Sequence, residues 1–183
     1  MAMQLSVRIQ TSKQSKGQAG HDFEGRPTYA DADKKHLNRT VFGGTESEIK
    51  ELIDINLTAP IILSNLCLRT LKKTKGHVIN ISSIEATRHS KFSALYTASK
   101  SGLRDFSLAL FEELRKADVK VTNINPDLTK TNFFNEFNFE PGDSKNAHLL
   151  ASDIAKTVLK IINFDAVVTD ITVRAQRLEI KKK

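Results

Sequence analysis

The sequence predicts an α/β fold: a doubly wound parallel sheet, incomplete at its N-terminal side. Three observations predict it. From Val41 onward, short β-branched runs alternate with long stretches of helical periodicity, the order that builds a parallel sheet with helices on its faces. Those runs are apolar without strict alternation, as strands buried on both faces are. Residues 1–40 lack this character and supply one weak strand at most.

Taken in order, Leu5, Val7 and Ile9 alternate with polar residues, and Thr11 to Gly25 shows no periodicity. This first segment reads as one strand plus loop or disordered chain. Residues 41–183 read as the body of a single domain. Thr45 and Glu48 have the spacing of a capping box, and Ile49, Leu52, Ile53 and Leu57 open a helix that continues to Leu71. Pro60 lies inside it, so a bend is expected. Lys72, Lys73, Lys75 and Gly76 mark its C-terminus. His77 to Ser83 is a buried strand, Ala94 to Lys116 a second long helix, and Val119 to Ile124 a strand closed by Asn125 and Pro126. Ser152 opens a third helix, and Ala166 to Val173 is the last strand.

A chain of 183 residues is long enough to bury a real core in one domain. Cys67, the single cysteine, excludes an internal disulfide framework and points to a reducing compartment. It falls in an apolar helical run, where a free thiol behaves as a small core residue. No apolar run looks long enough to span a bilayer and no signal-peptide pattern opens the chain, so a cytoplasmic protein without a membrane partner is expected. The net charge of +7 raises the question of nucleic acid. The basic residues are scattered among acids, without zinc spacing, recognition-helix pattern or aromatic interleaving, so no nucleic-acid partner is expected. The basic residues at the end of the chain read as a frayed tail.

Ser82 and Ser83 stand at the C-terminal end of a strand, where open parallel sheets place their ligands. Tyr96 and Lys100 lie four residues apart near the start of the next helix, on one face. A free phenol titrates near 10, and an ammonium held beside a phenol favours its ionised form. A serine hydroxyl across the crevice can hold a carbonyl oxygen where charge develops. These are the residue types that carbonyl reduction needs.

The segments DINLTAP, HVINISS, YTASK and INPDLTKT, in this order and at these separations, resemble the short-chain dehydrogenase/reductase family over roughly Val41 to Arg177. Tyr96 and Lys100 match its YxxxK motif, Ser83 its catalytic serine, and Asn56 the asparagine of its central helix. The resemblance implies a Rossmann-type oxidoreductase that uses NAD or NADP to interconvert a small-molecule carbonyl and an alcohol. It implies that Tyr96 is the general acid/base and that Lys100 supports it and binds the nicotinamide ribose. Ser83 orients the substrate carbonyl, and Asn56 holds a water in the proton relay. Pro126 and Thr131 match the positions that face the nicotinamide, while Asp127 replaces the family's glycine. Phe133, Phe134, Phe137 and Phe139 fall where a substrate lid, or a short helix packing aromatics on the body, is found. The resemblance further implies a homo-oligomer paired through the helices carrying Asn56 and Tyr96.

The match fails near the N-terminus. In the family a strand leads into TGxxxGxG, whose glycines let the backbone approach a pyrophosphate. Thr11 suits the threonine, but Ser12 and Lys16 occupy glycine positions, and Gly17 and Gly20 are out of step. Of the family's Asn-Asn-Ala-Gly motif, only Asn38 agrees within Leu37 to Thr40. The alternative reading is therefore an inactive relative that serves as an association module.

Overall fold

The computed structural model describes residues 45–90, 93–135 and 139–183, the side chain of Phe133 excepted. The weak strand at Leu5 to Ile9, the eroded glycine loop, Asn38 and Phe137 lie outside the described residues.

The first helix, α1, spans Glu46–Thr74. Its start is fixed by the capping box: Thr45 Oγ1 accepts from the Glu48 amide at 3.3 Å, and Glu48 Oε2 accepts from the Thr45 amide at 2.7 Å. The helix stays continuous through Pro60, and the expected bend takes the form of a π-helical turn, Asp54–Thr58. Pro60 has no N–H to offer the Asn56 carbonyl one turn earlier, so the ladder widens there, with buried Asn56 at its centre. At the C-terminus the left-handed residue is Lys75, with φ 51°, and the Gly76 amide bonds back to Leu71 O at 2.9 Å.

By length and composition α1 could cross a membrane, contrary to the sequence expectation. Its apolar residues serve two faces. Leu57 and Leu71 turn inward, whereas Ile55, Ile62 and Leu66 are exposed. Reading one face at a time understates the total apolarity.

Three parallel strands form the sheet: β1, His77–Ile81; β2, Lys120–Pro126; and β6, Asp170–Val173, in the order β1-β2-β6. The helix α2, Ala94–Leu114, connects β1 to β2. Register pairs Asn80 with Asn123 and Asn123 with Asp170, so these side chains share one face of the sheet. Against them α2 sets Ser107, which accepts from Asn80 Nδ2 at 2.8 Å, and Arg104, which donates twice to Asp170. Nearer the N-terminal ends of the strands lies an apolar cluster of Leu71, Val78, Leu114, Val119 and Val121, with half-buried Cys67 packed on it. At Gly102 of α2, an added Cβ would stand 3.0 Å from Leu57 Cδ2, so the glycine sets how closely α1 and α2 approach.

Beyond β2 the chain makes β3, Thr129–Lys130; β4, Phe139–Pro141; and β5, Leu149–Leu150; then helix α3, Ala151–Ile162. Strand β6, expected from Ala166, begins only at Asp170 and is not the last strand; the chain is still turning at Phe164 and Asp165, whose carbonyls accept from Lys120 Nζ. The basic tail is not frayed. Residues Ile180–Lys182 form β7, antiparallel to β4, and Lys183 Nζ donates to Phe134 O at 2.6 Å. Edge-strand pairing gives the tail backbone partners that its charge pattern does not reveal.

Candidate active site

The loop carrying Ser82 and Ser83 leaves the C-terminal end of β1, and Pro126 ends β2. Both open at the same edge of the sheet, the edge at which parallel α/β folds bind ligands. Hydrogen bonds tie the flanking helices to this edge. Ser82 Oγ donates to Lys100 O at 2.8 Å, fixing the loop after β1 to the second turn of α2.

Tyr96 is half-buried and Lys100 only 3% exposed. The Lys100 ammonium lies 5.9 Å from the centroid of the Tyr96 ring and donates to Ile81 O at 3.3 Å. Spacing of four residues on one helix puts the two side chains a turn apart on the same face. Burial of an ammonium is costly without polar partners, and the Ile81 carbonyl at the end of β1 is one of them.

Asn56 reaches the same region from the π-helical turn of α1. Its Nδ2 donates to Ser99 Oγ at 3.1 Å, and Ser99 Oγ donates to Tyr96 O at 2.8 Å. Buried Asn56 thus has a partner, and that partner lies in the first turns of the Tyr96 helix. Ser83 is buried as well, and its Oγ accepts from the Glu85 amide at 3.2 Å. Pro126 is half-buried at the end of β2, and Thr131 stands at the surface just beyond β3. Asn56, Tyr96 and Lys100 are therefore joined directly or through one residue. Ser83 is joined to them through its neighbour Ser82.

Sequence reasoning missed Ser82 and Ser99 as connectors. The available signal was hydroxyl residues directly beside the motif positions, which motif matching passes over. It also missed how Asp127 sits where a glycine was expected. The Asp127 amide donates to Val173 O at 2.9 Å, and its buried carboxylate accepts from the Leu128 amide and from Arg174 Nε, each at 2.9 Å. Arg88 Nη2 lies 3.8 Å from the same carboxylate. Two guanidinium groups and an amide compensate its charge. Of the expected aromatic cluster, Phe134 is buried and meets Phe139 edge-on with centroids 5.8 Å apart.

The family pattern described as short chain dehydrogenase matches residues 38–141, more than half of the chain. The chain belongs to the short-chain dehydrogenase family. An uncharacterized oxidoreductase of Staphylococcus aureus is 35% identical over 113 residues, which are 61% of this chain and 47% of that protein. The chain thus spans about half the length of the curated relatives it matches. Among solved structures, an alcohol dehydrogenase of the archaeon Thermococcus sibiricus, complexed with 5-hydroxy-NADP, superposes with a TM-score of 0.67 at 22% identity. It covers 76% of this chain and 59% of its own. A mutant 4-hydroxyisoleucine dehydrogenase complexed with NADH and succinate gives a TM-score of 0.65 at 23% identity, covering 74% and 61%. These likenesses show the Rossmann-type fold of the family.

Proposed function

We propose that this chain carries the catalytic machinery of an NAD- or NADP-dependent oxidoreductase that interconverts a small-molecule carbonyl and an alcohol. The observation that carries the reading is the buried Lys100 ammonium beside the Tyr96 ring at the C-terminal edge of a parallel sheet. The donor set there fits the nicotinamide half of the cofactor. Lys100 and Tyr96 offer a cation and a phenol to the ribose hydroxyls, and Thr131 offers a hydroxyl to the carboxamide beside Pro126. When bound, the nicotinamide supplies or accepts the hydride.

In the reductive direction Ser83 donates a hydrogen bond to the substrate oxygen and holds the carbonyl for attack. Tyr96 delivers its phenolic proton to that oxygen as the hydride reaches the carbon, and the product is the alcohol. Lys100 stabilises the negative charge that this leaves on the phenolic oxygen. Asn56 keeps the first turns of α2 in place through Ser99, and its carbonyl, bypassed by Pro60, is suited to hold the relay water that returns a proton. Oligomerisation through α1 and α2 belongs to the same reading. Ile55, Ile62 and Leu66 recur on one exposed face of α1, with Leu66 72% exposed.

Tyr96→Phe tests the assignment. It should abolish turnover and leave nicotinamide binding nearly intact; unchanged turnover removes Tyr96 as the acid/base.

A further inference from the structure

Between Ser83 and Tyr96 the chain must cross from the end of a strand to the start of a helix. A loop of this length has many conformations, and the two catalytic groups need one separation. The side chain of Glu85, only 12% exposed, gathers the described part of this loop. Its Oε1 accepts from Arg88 Nε at 2.9 Å and from Ser90 Oγ at 2.8 Å. Its Oε2 accepts from the Ser90 amide at 3.2 Å and faces Ser93 Oγ at 3.2 Å. At one end of this group, the Glu85 amide is bonded to Ser83 Oγ. At the other, Ser93 O accepts from the Thr97 amide at 2.7 Å, and the two side-chain oxygens lie 3.0 Å apart, one residue from Tyr96.

We propose that Glu85 is a positioning residue, whose carboxylate sets the separation of Ser83 and Tyr96; the inference rests on the oxidoreductase reading above. Arg88 extends the arrangement to the sheet. It joins Glu85 to Asp127, and Asp127 is held by Arg174 beyond β6. The loop is thereby referenced to the ends of β2 and β6. Arg88 Nε, Ser90 Oγ and the Ser90 amide each bring a hydrogen to the Glu85 carboxylate, so both oxygens are needed as acceptors. An amide in its place must point its NH2 at one of those donors, leaving donor against donor.

The test compares wild type, Glu85→Gln, Ser83→Ala and the double variant, with turnover, nicotinamide affinity and thermal midpoint measured on each. Glu85→Gln should lower kcat roughly 10- to 100-fold while nicotinamide affinity stays within about twofold. In the Ser83→Ala background the same change should cost little more, because both act on one geometry. Ser93→Ala, which removes one arm, should shift kcat in the same direction by less and serves if Glu85→Gln does not fold. Undiminished kcat in Glu85→Gln, or full additivity with Ser83→Ala, overturns the proposal while an active wild type keeps the functional reading. A wild type that turns over no carbonyl or alcohol overturns that reading, and this proposal with it.

Discussion

At the scale of single residues, the polar groups that fold this sheet titrate in separate windows. His77, at the start of β1, has its Nε2 2.8 Å from Thr122 Oγ1, whose own hydrogen goes to Val168 O at 2.6 Å. The hydroxyl can therefore only accept, and His77 is the neutral tautomer with its proton on Nε2. Burial, aided by the charge of Lys120, pushes its pKa from 6.5 down to about 4. Unfolding then takes up a proton once the pH is below 6.5, so the contribution of His77 is constant above that value and stability is lost as pH falls toward 4. Denaturant unfolding at pH 7 and pH 4.5 should show this loss, and His77→Asn should reduce it; an unchanged pH slope in the variant assigns the loss elsewhere. For Asp170, burial raises the carboxyl, but hydrogen bonds from Asn123, Arg104 and Asn125 outweigh it and hold the pKa below 3.8. Its contribution is present above that pH and disappears below it. Asp170→Asn removes the shorter of the two carboxylate contacts of Arg104, leaving Asp105 at 3.5 Å, and should cost about 2 kcal/mol at pH 7, read from the unfolding midpoint.

At the scale of elements, what the sequence made legible follows from which interactions are local. The α1 capping box was readable because Thr45 and Glu48 satisfy each other's backbone groups three residues apart. Helix α2 and the candidate residues on it were readable because a four-residue spacing fixes the face that Tyr96 and Lys100 share. What depended on distant partners was hidden. The β7 tail pairs with residues some forty positions earlier, and the Glu85 side chain reveals its role only once Ser90 and Ser93 fold around it. The end of α1 falls among the residues that mark it, and Lys75 rather than Gly76 takes the left-handed position. A non-glycine side chain there costs about 1 kcal/mol. The Lys75 to Asp118 ion pair, 2.8 Å long but largely exposed, returns little of it. Lys75→Gly should therefore stabilise the protein by about 0.5 kcal/mol or more in thermal unfolding. A lower midpoint would mean that the ion pair outweighs the backbone penalty.

At the scale of the molecule, the sheet and the site share one cause. Order β1-β2-β6 brings the ends of two adjacent parallel strands to one edge, and α1 and α2 deliver Asn56, Tyr96 and Lys100 to it. Among the described residues, β1 pairs with β2 alone, and its other edge faces no strand. The fold class was legible because alternation of strand and helix leaves few topologies. A pyrophosphate-binding loop was not legible, because the glycine pattern that announces one is broken at Ser12 and Lys16. Whether the nicotinamide half is bound on the strength of Tyr96, Lys100, Pro126 and Thr131 therefore decides the account. Titration of NADH and NADPH against the purified protein, followed by nicotinamide fluorescence, measures this directly. Saturable binding that weakens in Lys100→Met is the expected result, and the absence of saturation at millimolar cofactor would contradict the oxidoreductase reading.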